Sequence, residues 1–265
     1  MDLNMKDKVV VITGGSSGIG KAAALEFARE GAKVSICART MAKLEAVQQE
    51  YKELGFDVDI YQVDVGEVDQ LQAMADAVIA KHGRINIWIN NAGIDIHRPV
   101  LEFTREHFDA MINTNLYSVF EGCRIAGRHM IERGEGGVIM NIASYTVKIP
   151  HSEGAIYAAT KCGVSSFTKT FAASFAPYGI RVVGIIPGMI ETEISREAIA
   201  INRDLYTANV AAGRLGQPED LTKPMVFLAS DCCDYINGCD IEIHGGKYAV
   251  QNTRYAWDRA AAEGK

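Results

Sequence analysis

Tyr157 and Lys161 stand four residues apart in Tyr157-Ala158-Ala159-Thr160-Lys161, near the start of a long segment of helical periodicity. That spacing puts the phenol and the ammonium on one helix face. A free tyrosine titrates near ~10, and a neighbouring cation lowers that value by stabilising the phenolate. A shift of about two to three units corresponds to about 3–4 kcal/mol of differential stabilisation, enough to make the phenol a general acid–base group at neutral pH. The same pair would also suit an unremarkable helix surface. Position weighs for chemistry, because Ser144 ends the apolar run Asn141-Ile142-Ala143-Ser144 thirteen residues upstream. Ligands of doubly wound α/β sheets bind beyond the carboxyl ends of their strands, where Ser144 would lie.

A second constellation sits near the N-terminus. Val9-Val10-Val11-Ile12-Thr13-Gly14-Gly15-Ser16-Ser17-Gly18-Ile19-Gly20 runs from an apolar stretch into a helical one. Glycines at 14, 18 and 20 allow close backbone approach, and a helix N-terminus with free N–H groups attracts phosphate. The spacing is G-x3-G-x-G instead of G-x-G-x-x-G, and the context of strand, turn and helix points to a dinucleotide. An NAD site commonly carries an acid at the end of the next strand. Here Ala38 holds that place and Arg39 follows. A guanidinium can fork onto a 2′-phosphate, so NADP(H) is favoured over NAD(H), against the plainer view of Arg39 as a solvated strand-end residue.

These residues need elements to position them. Seven short runs rich in Val and Ile, at Lys8–Ile12, Lys33–Ala38, Asp59–Val63, Ile85–Asn90, Gly137–Ala143, Arg181–Ile186 and Asp240–His244, read as strands buried on both faces. Helices are predicted between them at Gly18–Glu30, Met41–Leu54, Val68–His82, Arg105–Glu132, Glu153–Pro177 and Pro218–Ala229. The alternation predicts a single α/β domain, a Rossmann-like doubly wound parallel sheet. Its expected extent is residues 1–246, with 189–213 as a substrate lid and 247–265 as a C-terminal tail holding Tyr248, Tyr255 and Trp257.

Composition narrows the function classes. The net charge of −6, without a run of Lys or Arg, argues against nucleic acid and anionic membrane as partners. No apolar run approaches a membrane span, and the N-terminal residues show no leader pattern. Six scattered cysteines (37, 123, 162, 232, 233, 239) lack disulfide or metal-ligand spacing, so no metal is expected, and a reducing cytoplasm is.

Taken in order, Thr13 to Gly20, Asn90 to Gly93, Asn115, Ser144, Tyr157, Lys161 and Pro187-Gly188 resemble the short-chain dehydrogenase/reductase family over nearly the whole chain to Gly246. The resemblance implies a seven-stranded sheet and hydride transfer between nicotinamide and a carbonyl or secondary alcohol. It implies that Tyr157 exchanges the proton, Ser144 polarises the substrate oxygen, and Lys161 tunes the phenol and holds the nicotinamide ribose. Asn115 would support a proton-refilling water chain, with Asn113 as a nearby rival. The cofactor would be contacted by Gly14, Ser16, Ser17, Gly18, Ile19, Gly20, Arg39, Asp64, Val65, Asn91, Ala92, Gly93, Pro187, Gly188, Ile190 and Thr192. The longer tail after Gly246 departs from the pattern.

Substrate contacts are expected from Ile94, Asp95, Ile96, His97, Tyr145, Val147, His151, Glu153, Met189 and Glu191. Within the lid, Ile194, Ile199, Ile201, Leu205 and Tyr206 either cover an apolar substrate or pack the lid onto the body. A hydroxysteroid-like or cyclic ketone stands ahead of a sugar or polyol that His151 and Glu153 could bind. A 3-oxoacyl thioester is less attractive beside Glu121, Glu132 and Glu135. The stripe Val164, Phe167, Phe171 and Phe175 is first core packing and second an interface of a homotetramer, or failing that a dimer. The rival functions are a non-catalytic NADPH sensor and an epimerase or dehydratase on the same fold.

Overall fold

The computed structural model describes residues 2–247 and 249–264; Tyr248 of the expected tail lies outside the described residues. Seven strands form one parallel sheet: β1 (Val9–Thr13), β2 (Lys33–Ala38), β3 (Val58–Gln62), β4 (Ile87–Asn90), β5 (Gly137–Ile142), β6 (Ile180–Pro187) and β7 (Asp240–Ile243). Their order is β3-β2-β1-β4-β5-β6-β7, so the direction of winding reverses between β1 and β4. The predicted strands are all present, with ends within two residues of those expected.

Period-two side-chain alternation explains the three layers. From β1, Val10 and Ile12 join Ile36, Ile87, Ile89 and Met140 on one face. Helices α1 (Gly18–Arg29) and α2 (Met41–Glu53) cover that face through Phe27, Leu44 and Val47. Val9 and Val11 point the other way, with Trp88, Ile139 and Val182. There they meet α3 (Val68–His82), α5 (Ser118–Arg133) and α6 (Ala155–Phe175) through Leu71, Met74, Cys123 and Val164. All five residues of β1 are buried, as a strand covered on both faces requires.

The predicted helix Arg105–Glu132 is interrupted. It divides into α4 (Arg105–Ile112), a π turn at Asn113–Tyr117, and α5. A π turn accommodates one extra residue and is frequent at functional sites. Here the buried Asn115 amide is drawn to the backbone of Ile94, and Ser118 Oγ donates to Thr114 O at 2.6 Å. The helix predicted from Glu153 starts two residues later, after Gly154 leaves helical geometry (φ −124°, ψ 35°).

The segment at 189–213 carries α7 (Arg196–Ala208), broken at Asn202 (φ −136°, ψ 37°). After it come α8 (Glu219–Ala229), on the face of α1, and the C-terminal α9 (Tyr255–Ala262). The tail docks on the end of the 189–213 segment: Trp257 Nε1 donates to Ala211 O at 3.0 Å, and a methyl on Gly213 would stand 2.6 Å from the indole. No helix among the described residues is long and apolar enough to cross a membrane.

Candidate active site

The carboxyl ends of β1, β4, β5 and β6 open into one crevice of about 690 Å³, lined at one end by Gly14 and Arg39 and at the other by Ser144, Tyr157 and His151. The glycine turn is tied to the end of β4. Thr13 Oγ1 accepts from the N–H groups of Asn91 and Ala92, both at 3.0 Å. Asn91 Nδ2 returns bonds to the carbonyls of Thr13 and Gly14, at 2.9 and 3.2 Å. Gly14 has φ +68°, and a methyl there would lie 2.9 Å from Ala92 Cα. Only glycine combines that backbone with that approach. The turn is therefore cut back to backbone where a pyrophosphate would meet the N-terminus of α1, and the residues fit a dinucleotide.

Of the residues expected to hold cofactor, all but Gly20 line the crevice. A methyl on Gly20 would overlap Gly14 O and the Asn91 amide, so this glycine serves the packing of the turn. Arg39 at the end of β2 is joined by Thr40 and Lys43, which the sequence reading passed over. Thr40 precedes the first residue of α2 with its side chain uncommitted to the helix end. The basic pair beside a helix start was visible in Arg39-Thr40-x-x-Lys43. Lys43 reaches across the mouth to Glu193 at 3.0 Å. Asp64 Oδ1 is occupied by the N–H of Gly66 at 3.0 Å, which fixes the loop after β3.

The proton-transfer group is assembled from β5 and α6. A buried amide chain joins these elements: Asn90 Nδ2 donates to Asn141 Oδ1 at 2.8 Å, and Asn141 Nδ2 to Thr168 Oγ1 at 3.1 Å. Asn90 thus turns into the core, while Asn91, Ala92 and Gly93 face the crevice. Ser144 is buried, with its Oγ accepting from Thr146 N at 3.3 Å, and its hydroxyl neighbours the Tyr157 phenol closely enough to favour the phenolate. Lys161 is buried, donates to Ile142 O at 2.8 Å, and holds its ammonium 5.6 Å from the centre of the Tyr157 ring.

The electrostatics differ from expectation. Loss of solvent, and secondly the charge of Asp95, push the Tyr157 phenol above its ordinary value, with the neighbouring Ser144 hydroxyl acting against them. Burial also lowers Lys161 to about 8, with Asp95 opposing. In the protein alone the phenol is therefore held protonated, ready to donate, and its ammonium neighbour is easily discharged.

Asn115 does not line the crevice. Its Oδ1 accepts from Ile94 N and its Nδ2 donates to Ile94 O, both at 2.8 Å, with Thr160 Oγ1 at 3.4 Å. A methyl on Gly93 would lie 3.3 Å from Asn115 Oδ1 and 3.7 Å from Lys161 Nζ, so both groups flank this glycine. Its rival Asn113 is exposed.

The substrate end is walled by Ile94, Asp95, His97, Tyr145, His151, Glu153 and Met189, while Ile96, Val147 and Glu191 stay outside. Glu191 pairs with Arg203 at 2.8 Å. The 189–213 segment divides its apolar residues: Ile194 and Tyr206 line the crevice, Ile199 is buried, and Ile201 and Leu205 are exposed. Lys247 was missed. It is buried beyond β7, with its ammonium 4.5 Å from the Tyr145 ring centre and 5.4 Å from that of Tyr206.

The chain matches the short chain dehydrogenase family over residues 8–202. It belongs to that family. The enzyme is 36% identical over 244 residues to the 3-oxoacyl-(acyl-carrier-protein) reductase FabG of Thermotoga maritima, covering 92% of this chain and 99% of that protein. It is 36% identical over 248 residues to 3beta-hydroxysteroid dehydrogenase 1 of Eggerthella lenta, covering 92% and 94%. The crystal structure of a gluconate 5-dehydrogenase from Burkholderia cenocepacia in complex with NADP and tartrate superposes with a TM-score of 0.88 at 35% identity, covering 94% of this chain and 98% of that one. The enzyme is accordingly an oxidoreductase acting on CH–OH groups, with the expected Rossmann-like sheet.

Proposed function

We propose that the enzyme interconverts a secondary alcohol and a ketone on a small hydroxylated substrate, using NADP(H), with Ser144, Tyr157 and Lys161 at the reacting centre. The observation that carries the catalytic assignment is the convergence of a buried Ser144, the Tyr157 phenol and a buried Lys161 5.6 Å from its ring centre on one crevice with the glycine turn. A nicotinamide cofactor supplies or accepts the hydride when bound. In reduction, Ser144 donates a hydrogen bond to the carbonyl oxygen and Tyr157 delivers its proton there as the alkoxide develops. Lys161 favours the phenolate left behind, and Asn115 positions Ile94 and the backbone beside that ammonium. Oxidation runs the same groups in reverse.

Arg39 and Thr40 after β2 and Lys43 in the first turn of α2, with no acid at Ala38, support NADP(H). The gluconate 5-dehydrogenase relative holding NADP agrees. The polar set Asp95, His97, His151 and Glu153 supports a hydroxylated substrate, and Asp95 Oδ1 is buried with no hydrogen-bond partner among the described residues, a costly arrangement unless a ligand answers it. The crevice therefore favours a sugar acid or polyol over a hydroxysteroid. A steroid remains the second reading, supported by Ile194 and Met189 in the crevice and by the Eggerthella lenta relative.

The 189–213 segment acts as the lid, and 247–265 as the tail that steadies it. Phe120, Phe167, Phe171 and Phe175 form a half-buried aromatic cluster along α5 and α6, which supports pairing of copies into a homotetramer. Six free cysteines fit a reducing cytoplasm.

The test is nicotinamide absorbance against polyols, aldonates, hydroxysteroids and 3-oxoacyl thioesters with both cofactors. Turnover with NADP(H) and a hydroxylated compound is expected. Tyr157→Phe should lower it by about 10²–10⁴-fold while changing NADPH affinity little. A Tyr157→Phe variant that keeps its rate would remove the phenol from the mechanism.

A further inference from the structure

We propose that Asp95, His97 and His151 bind one divalent transition-metal ion of the zinc type at the substrate end of the crevice. One carboxylate oxygen of Asp95 and one imidazole nitrogen from each of the two histidines lie within 4.8 Å of one another. The three come from two separate loops that the fold ties together, since Arg98 N donates to Glu153 O at 3.0 Å. The histidine rings are stacked, 4.7 Å between centres and 10° from parallel. Asp95 Oδ2 takes the His97 Nε2 contact at 2.9 Å, while Asp95 Oδ1 is buried with no hydrogen-bond partner among the described residues. An acceptor so placed asks for a cation or a donor. Gly154 makes room for the cluster, because any side chain there would overlap the His151 ring.

Stacked rings keep their in-plane lone pairs in separate planes, so one ring, the exposed His97, must turn for both to meet one ion. Ligands about 2.1 Å from a tetrahedral ion stand about 3.4 Å apart, so the 4.8 Å spread closes with a shift of about 1.4 Å. His97 is exposed and can supply that movement by rotating about its side-chain bonds. Two imidazoles and one carboxylate suit zinc, cobalt or nickel better than magnesium or calcium, which prefer oxygen alone. Three protein ligands leave a position open, as in sites that take an exchangeable oxygen. All three residues line the crevice that contains Ser144 and Tyr157, so that position opens into the same crevice as the reacting centre. A hydroxyl or carboxylate neighbouring the reacting carbinol would occupy it; this last step rests on the proposed oxidoreductase reading, whereas the metal site does not.

The full-length chain, stripped with a chelator, is titrated with Co²⁺ and followed by visible absorption, and Zn²⁺ is then used to displace it. One Co²⁺ per chain is expected, with ligand-field bands of nitrogen and oxygen donors. His97→Gln, His151→Gln and Asp95→Asn should each weaken binding at least about tenfold, since even groups behind metal ligands are worth that much. Their metal-free thermal unfolding should stay near that of the parent chain. X-ray absorption at the zinc edge of the unaltered chain provides a check that needs no variant and should show two imidazoles. No saturable binding, a thiolate charge-transfer band assigning the ion to the cysteines, or affinities unmoved by the substitutions would each overturn the site. The titration contains neither nicotinamide nor substrate, so its failure leaves the oxidoreductase reading standing. Substrate chelation is read separately. Adding Zn²⁺ should lower KM for alcohols bearing a second oxygen on the adjacent carbon and leave simple secondary alcohols unchanged; equal response of both classes overturns that role.

Discussion

Replacing Arg39 by alanine tests the cofactor assignment without any knowledge of the substrate. Arg39 is exposed at the end of β2, so its attraction for a 2′-phosphate is felt through water. A unit charge about 4 Å from a phosphate near two negative charges gains about 2 kcal/mol at the dielectric of water. That amount is about thirtyfold in affinity. NADPH affinity of Arg39→Ala, read by quenching of protein fluorescence, should therefore fall about thirtyfold, and NADH affinity should change less than about twofold. Adding Lys43→Ala should cost less than a second thirtyfold, because Lys43 already pairs with Glu193 at 3.0 Å and releases that carboxylate when removed. The NADPH loss should shrink as salt is raised, since exposed charges are screened. Equal losses for both cofactors, or none, would refute the assignment.

Three further outcomes follow from the geometry. Lys161 is held at about 8 in the folded chain against an ordinary 10.5, so above pH 8 the unfolded chain binds the extra proton and stability rises with pH up to about 10.5. The unfolding temperature of the parent chain minus that of Lys161→Met should climb across that window; a flat difference would show that the ammonium is not desolvated. Gly20→Ala forces a methyl into Gly14 O and the Asn91 amide, and should cost about 1–3 kcal/mol in denaturant unfolding and weaken both nicotinamide cofactors alike. Trp257→Ala removes the indole bond to Ala211 O and should speed amide exchange at 205–213 while leaving the sheet unaffected; unchanged exchange would detach the tail from the lid.

The sheet and its crevice were legible because both are written in local patterns. Buried parallel strands leave continuous apolar runs such as Val9–Ile12, and a phosphate turn leaves Gly14, Gly18 and Gly20. What sequence did not show depends on partners distant along the chain. Asn115 and Ile94 are 21 residues apart, and their mutual hydrogen bonds leave no periodic trace. The π turn is one residue out of phase in an otherwise regular amphipathic segment. Lys247 reads as a tail residue until β7 brings it under Tyr145 and Tyr206. The direction of the Tyr157 shift required knowing that desolvation and Asp95 outweigh the favourable influence of the Ser144 hydroxyl.

The π turn at Asn113–Tyr117 also makes the length of this segment a discrete quantity. Each residue of a helix advances the chain by about 100°, so removing one from the turn would restore ordinary α winding and relieve the backbone locally. The repaired helix would be the worse enzyme. Asn115 would swing away from both polar groups of Ile94, and Phe120 would rotate out of its contacts with Phe167 and Phe171 on α6. A single-codon deletion here would thus separate local regularity from global fit, with the irregular chain retained because two distant surfaces depend on its phase.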